Sequence, residues 1–409
     1  MRTSARRLAL VVTAAAAAVA LTACGPGSSG AGSPAAESSA PGTGTRPAQA
    51  VTAATRPAQA TPSAQAIPAI PAGGPVPAGF AATSVTFVSS DEAFVLGTAP
   101  CAHAPCTSIV RTLDRGATWT GLPAPAVPLG DPYTAMTPAV WGIRFANPER
   151  GFVFGNELWM TTDGGKRWSA IAGPGGSLAD LEVIDGQVLA LSYVCSPQSG
   201  CPQLGTLYRR ALSGGPWSAV TRVSGARVIA TQARVAAVLD NGKVVVTGDG
   251  GLAFAEHAIP CDTQTTAASA VAVTGPGSLA LLCAGGAAMG SVQKTVYVSY
   301  NLGVTWSKAG SPPFGGDPWE ISAGVPAQLT VAAVSGASWL YYSADGGSHW
   351  SVAYKAINGG AGFNDLGFTT TADGVAVSGP VYQDGDSYGQ PGQLLLTSDG
   401  GASWTAVRF

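Results

Sequence analysis

Charge is scarce in this 409-residue chain: 11% of its residues are Asp, Glu, Lys or Arg, and three are His. The histidines, His103, His257 and His349, are far apart, and nothing puts one beside a serine and a carboxylate, so no Ser-His-Asp hydrolase is indicated. No basic stripe is present, which excludes the nucleic-acid class. Arginine is missing altogether between Arg234 and Arg408. The many Gly-Gly pairs sit in turn-like contexts, and none forms a loop that would cradle a phosphate. The N-terminal apolar run, Leu8–Leu21, is short and Ala-rich for a membrane-spanning helix. Residues 25–78 almost lack aromatics and charges, so they cannot bury enough surface to fold.

A repeated turn dominates what is present. It consists of Ser or Thr, then Asp two residues on, Gly two further, and an aromatic three beyond. The copies are TLDRGATW (Asp114, Gly116, Trp119), TTDGGKRW (Asp163, Gly165, Trp168), TGDGGLAF (Asp249, Gly251, Phe254), SYNLGVTW (Asn301, Gly303, Trp306), SADGGSHW (Asp345, Gly347, Trp350) and TSDGGASW (Asp399, Gly401, Trp404). A seventh, RALSGGPW (Arg210–Trp217), keeps only the Gly and the Trp. The spacing of about 48 residues, with strand-like runs between, indicates a propeller or similar array. Each Asp is expected to staple its hairpin by accepting backbone N–H groups two residues on. Each Gly supplies a backbone angle that side chains avoid, and each Trp packs on a neighbouring sheet. These acids are therefore structural, not catalytic.

The motif resembles the Asp-box, or BNR, repeat over Ala82–Phe409, and the stretch Gly142–Trp168 resembles the photosystem II assembly-factor propellers; sialidases and sortilin-type receptors are more distant. The resemblance implies an all-β, seven-bladed propeller of four-stranded antiparallel blades, and it is unspecific for activity. Inner strands are expected to start at SVTFV (Ser84), VWGIRFA (Val140), DLEVI (Asp180), RVIAT (Arg227), AVAVT (Ala270), EISA (Glu320) and DLGFT (Asp365). The last blade ends on its own outer strand, SWTAVRF, which leaves the closure of the ring open; Ile67–Phe80 is the stretch that could add a strand.

Residues 1–23 read as a signal peptide, with Arg2, Arg6 and Arg7 before the apolar run. The sequence LTAC resembles a lipobox, which implies lipidation of Cys24; the choice between general and twin-arginine export stays open. Residues 24–78 then form a disordered tether, and residues 79–409 the propeller. As a flexible coil the tether would reach about 40 Å. The expected location is extracytoplasmic, lipid-anchored to a bacterial cell membrane, and the head is expected to be a monomer. The remaining cysteines pair naturally as Cys101 with Cys106, Cys195 with Cys201, and Cys261 with Cys283. Blade assignment puts all six on the rim opposite the turns, as expected of disulfides in an oxidising compartment. A metal site using His103 with Cys101 and Cys106 is the alternative, poorly supplied with ligands; no cofactor is expected.

Sialidases hold a carboxylate with three arginines from separate blades, and Arg-Ile-Pro precedes their first blade. Here that region reads AIPAIPAGG, and Arg111, Arg144, Arg167, Arg209, Arg210, Arg222 and Arg227 all fall on one side of the ring. A sialidase-like triad is therefore not evident. A glycan hydrolase of another kind would need two carboxyl groups across a deep central pocket, drawn from Asp131, Asp180, Glu320, Asp365, Asp384 and Asp386. Each reads equally well as a solvated loop charge or strand-start cap. QDGDSYG lacks the spacing and final Glu of a calcium loop. The preferred expectation is a binding scaffold, not an enzyme. Its loop-rich, disulfide-bearing rim would hold a protein or glycan through Tyr133, Trp319, Tyr388 and the neighbouring acids. Trp141 and Trp319 are expected first as wedges between blades.

Overall fold

The computed structural model describes residues 73–101, 106–130, 138–194, 204–224, 228–261, 267–357, 362–379 and 392–409. The signal peptide, Cys24 and all but the last residues of the tether lie outside them. So do His103, Cys195, Cys201, Asp131, Tyr133, Arg227, Asp384, Asp386 and Tyr388.

Seven four-stranded antiparallel sheets make up the described head. Blade one runs Ala81–Phe87, Ala93–Ala99, Cys106–Thr112 and Thr120–Leu122 from axis to rim. The inner strands of blades two to seven are Val140–Phe145, Ser177–Ile184, Ala230–Gln232, Ala267–Gly275, Asp317–Val325 and Phe363–Phe368. Sheets covered on both faces need continuous apolar strands, and Gly151–Gly155 (GFVFG) is buried at every residue. Seven apolar clusters fill the seven gaps between neighbouring blades. One cluster joins Val375, Val377 and Leu394 of blade seven to Phe80, Val85 and Val95 of blade one, so the ring closes by packing without a shared strand. The lead-in assists. Gly74 bridges Gly121 in the outer strand of blade one, and Phe409 sits 4.8 Å from Phe80 and 5.1 Å from Trp119.

Six turns join third to fourth strands with one bonding pattern, and it differs from the expected one. The Gly N–H two residues after Asp163 goes to Thr161 Oγ1 (3.0 Å), while Asp163 Oδ1 takes the N–H of Arg167, four residues on (3.0 Å). The reason is the hydroxyl. Thr161 is buried at the strand end and donates to Asp163 (2.9 Å), which leaves its own lone pair for Gly165. The same pair of bonds recurs at Asp114, Asp249, Asn301, Asp345 and Asp399. All six glycines have φ between 83° and 99°, the left-handed region that favours glycine. Trp168 packs on Leu122 and Phe145 across the gap between blades one and two.

Cys101–Cys106 and Cys261–Cys283 are disulfides. The first closes a second-to-third-strand loop, at the opposite end of the sheet from the turns; the second fastens blade four to blade five. Oxidation removes both thiolates that the metal alternative at His103 required. Because the Thr161 hydroxyl both donates and accepts in a buried place, Thr161→Val should cost about 1–3 kcal/mol of stability. Urea denaturation followed by tryptophan fluorescence measures it, and an unchanged midpoint would refute the hydroxyl's role.

Candidate functional site

Each blade meets the axis with a sheet edge whose N–H groups need acceptors. Six of the seven inner strands carry a β-bulge at equivalent places, between Ala82 and Ser84, Val140 and Gly142, Leu178 and Asp180, Ala268 and Ala270, Pro318 and Glu320, and Phe363 and Leu366. In four of these strands a residue at or just past the bulge turns its side chain to the next blade. Ser84 Oγ accepts the N–H of Ile143 (3.2 Å), Asp180 Oδ2 that of Ile229 (2.7 Å), and Asp365 Oδ2 that of Val85 (2.8 Å). Glu320 accepts from the Leu366 N–H in the same way. These bonds tie blade one to two, three to four, six to seven and seven to one.

The carboxylates converge on an axial cavity of ≈240 Å³, in which Arg144 is the single arginine among the described lining residues. Its Nε donates to Glu182 Oε1 (2.5 Å) and its Nη2 to Asp365 Oδ1 (2.9 Å), with Asp180 Oδ1 at 3.6 Å. Its Nη1 donates to Ile143 O (2.8 Å) and Ser84 Oγ (3.3 Å). One guanidinium thus reaches blades one, two, three and seven.

Four carboxyl groups share that one cation, which sets their protonation. Burial pushes the Glu320 carboxyl well above its usual range, and the charges of Asp365 and Asp180 add to the rise. Glu320 is partly buried and lines the axial cavity. Burial likewise raises Glu182 to about 7 and raises Asp180, with Arg144 opposing both. For Arg144 burial works against the charge, but Asp365, Glu182 and Asp180 prevail and hold it well above its ordinary value. The turn acids behave oppositely. Bonds from the residue four on hold Asp114, Asp249 and Asp345 low; at Asp163 and Asp399 burial resists and the bonds prevail.

The structure therefore brings Asp180, Glu320 and Asp365 together, but at the axis and engaged to backbone, not as solvated loop charges on the disulfide-bearing rim. Trp319 packs between blades six and seven, its Nε1 donating to Phe363 O (2.5 Å). Trp141 does the same to Leu178 O (3.0 Å) between blades two and three. Arg144, Glu182 and Ser84 were missed as axial residues. The available signal was alignment of the inner strands, which sets Ser84, Asp180, Glu320 and Asp365 at one equivalent position. Other arginines from the triad analysis are spent elsewhere: Arg111 pairs with buried Glu92 (2.7 Å), and Arg210 stacks over Trp217 at 4.8 Å. No group of three or more candidate metal ligands occurs among the described residues.

The disulfide-bearing rim carries a different chemistry. Val194, Leu204, Val228, Met289, Phe314 and Ile357 are exposed there, spread over the connections of blades three to seven.

No protein-family profile matches the chain, and no curated protein matches its sequence. Solved structures do. One, described as YCF48 bound to D1 peptide, aligns over 79% of this chain and 95% of its own at 17% identity and TM-score 0.52. YCF48 from Cyanidioschyzon merolae aligns over 80% and 95% at 15% identity and TM-score 0.48. Identity this low shows the propeller fold.

A raised carboxyl pKa in the folded state stabilises below the unfolded value of about 4.3, and that stability is lost as pH rises through the folded value. Stability should therefore fall from about pH 5 upward, through and beyond about 7, as Glu182 and Glu320 ionise. Glu320→Gln keeps an acceptor for Leu366 and removes the titrating proton, so it should flatten this fall. Urea midpoints from pH 5 to 9 test this; parallel curves for both proteins would contradict it.

Proposed function

We propose that this chain is an exported, lipid-anchored propeller of the Asp-box group whose loop-rich, disulfide-bearing rim holds a protein partner, without catalysis. The observation that carries the reading is the set of exposed apolar side chains along that rim, Val194, Leu204, Val228, Met289, Phe314 and Ile357. The turn-bearing rim also exposes Leu113, Leu252, Tyr300 and Val304, but the six on the disulfide-bearing rim stand on or beside the longer connections, where binding sites on a rigid scaffold usually lie. The YCF48 propeller bound to D1 peptide lends support, as a propeller of similar architecture that holds a polypeptide. A glycan is the second ligand class. It would use the aromatic loops around Tyr133 and Tyr388, which lie outside the described residues.

The hydrolase alternative draws on the axial carboxyl groups. Its difficulty is that Asp180, Asp365 and Glu182 are bonded to backbone N–H groups or to Arg144. A nucleophile or a general base needs a lone pair free for the substrate. Using them would unfasten the blades.

A photo-crosslinking residue placed at Val194 or Ile357 should give a defined adduct on intact cells, while one at Leu113 or Val304, exposed on the turn-bearing rim, should not. Equal labelling from both rims, or none from either, would remove the basis for the binding rim. Turnover of aryl glycosides, sialosides included, that is lost in Glu320→Gln would favour the hydrolase instead. Anchoring has its own test: Cys24→Ala should shift the chain from the membrane fraction to the soluble one.

A further inference from the structure

The second-to-third-strand hairpin of blade five has the longest arms among the described strands that flank such a connection, Ser278–Ala288 and Ser291–Ser299. Past an irregularity between Ala284 and Ala287 the arms stay paired to the end, through Ala287 with Val292 and Ala288 with Ser291. The turn is then Met289–Gly290, with φ of 50° and 72°. Two-residue turns with positive φ at both positions favour Asn-Gly or Gly-Gly. Met289 is neither, and its side chain is 106% exposed relative to the reference state, so packing does not account for it. Leu302, another apolar residue at positive φ, packs instead into the cluster between blades four and five. A backbone outlier that carries an unpacked apolar side chain points to a function for that side chain.

The tip is also held firmly. Val292 N–H donates to Gly316 O (3.3 Å), and Gly316 N–H donates to Ser291 Oγ (3.3 Å). The Lys294 ammonium, fully buried, donates to the carbonyls of Val292 (2.9 Å), Phe314 (3.0 Å), Gly315 (3.0 Å) and Gly316 (2.6 Å). Tyr341 Oη donates to Gly315 O (2.9 Å). A buried ammonium is costly unless its protons are taken up, and here they fasten the loop before blade six onto the hairpin of blade five. Phe314, exposed on that loop, and Met289 therefore belong to one rigid ridge at the end of the blades away from the turns.

The chemistry of the ridge selects its occupant. Gly285–Val292 and Ala309–Gly316 contain no charged residue, and the Ser291 hydroxyl is already engaged. Nothing there can pair with a partner's charge, and exposed Met and Phe side chains gain on entering the acyl boundary of a bilayer in proportion to the apolar area they bury. The described head begins at Gly73, so 48 residues separate it from Cys24. A lipid on Cys24 would keep the head within 48 residues of the bilayer surface. We propose that the blade-five hairpin tip and the Phe314 loop form a membrane-contact ridge, with Met289 and Phe314 entering the acyl boundary of the bilayer. This rests on the lipid-anchor reading, and it takes Met289 and Phe314 out of the apolar set offered to a protein partner, leaving Val194, Leu204, Val228 and Ile357 to that partner.

The test uses the full chain reconstituted in phosphatidylethanolamine–phosphatidylglycerol vesicles, labelled with an environment-sensitive dye at Met289→Cys or, as a control on the opposite rim, at Leu113→Cys. The label at 289 should shift to the blue and be quenched by shallow nitroxide lipids, while that at 113 stays aqueous. In the anchor-free Cys24→Ala background, Met289→Ser with Phe314→Ser should weaken co-sedimentation with vesicles about tenfold or more. A chain that co-sediments through Cys24 while position 289 stays aqueous overturns the ridge and leaves the anchor standing. Shielding of 289 only in native, protein-containing membranes assigns the tip to a protein and also overturns it. Failure of the full chain to associate with vesicles overturns ridge and anchor together.

Discussion

The inner edge of seven sheets, brought together at one axis, is the constraint on which the rest of this structure depends. An unpaired N–H at a buried sheet edge costs about as much as a lost hydrogen bond, and the ring presents such an edge seven times over. The chain answers with side chains that cross to the next blade: Ser84, Asp180, Glu320 and Asp365. Using carboxylates for this concentrates negative charge in a small cavity. Arg144 is the necessary counterpart, and its bonds to Glu182 and Asp365 are therefore part of ring closure. One arginine cannot neutralise four acids, so burial and mutual repulsion keep part of the set protonated.

Packing and these bonds together replace the shared strand by which a ring could otherwise be sealed. Blade seven meets blade one through Val375, Val377 and Leu394 against Phe80 and Val95, through Asp365 and the Val85 N–H, and through the Ala82 N–H and Gly392 O. The lead-in adds its bridge from Gly74 to Gly121. None of these contacts is covalent. The disulfide between blades sits elsewhere, joining Cys261 of blade four to Cys283 of blade five.

Local chemistry was legible in the sequence, and chemistry across blades was not. The turn marks are short stretches in which Ser or Thr, Asp and Gly each act within five residues, so blade number and strand count could be read directly. Even there the bonding partner was off, because a buried hydroxyl that donates and accepts at once takes the Gly N–H first. Asp180, Glu320 and Asp365 could be named as acids but not placed. Their partners are Ile229, Leu366 and Val85, and the contact from Asp365 to Val85 spans 280 residues. Lys294 gave no warning at all. A lysine whose acceptors are carbonyl oxygens of Phe314, Gly315 and Gly316 has no sequence signature, since any residue can supply a carbonyl.

The same division separates the part of the molecule that holds it together from the part that can respond to something outside. At the axis, polar atoms are committed: withdrawing Asp365 for a ligand would strand both the Val85 N–H and one arm of Arg144. On the turn-bearing rim, the hydroxyls of six hairpins, five carboxylates and the Asn301 amide are likewise committed to backbone. The remaining rim carries two disulfide-fastened connections, the Lys294-fastened loop and exposed apolar side chains that satisfy no internal need. Rigid support beneath unsatisfied side chains lowers the entropy lost on contact. An external surface, whether protein or lipid, would therefore disturb the fewest internal bonds by meeting the propeller on that rim.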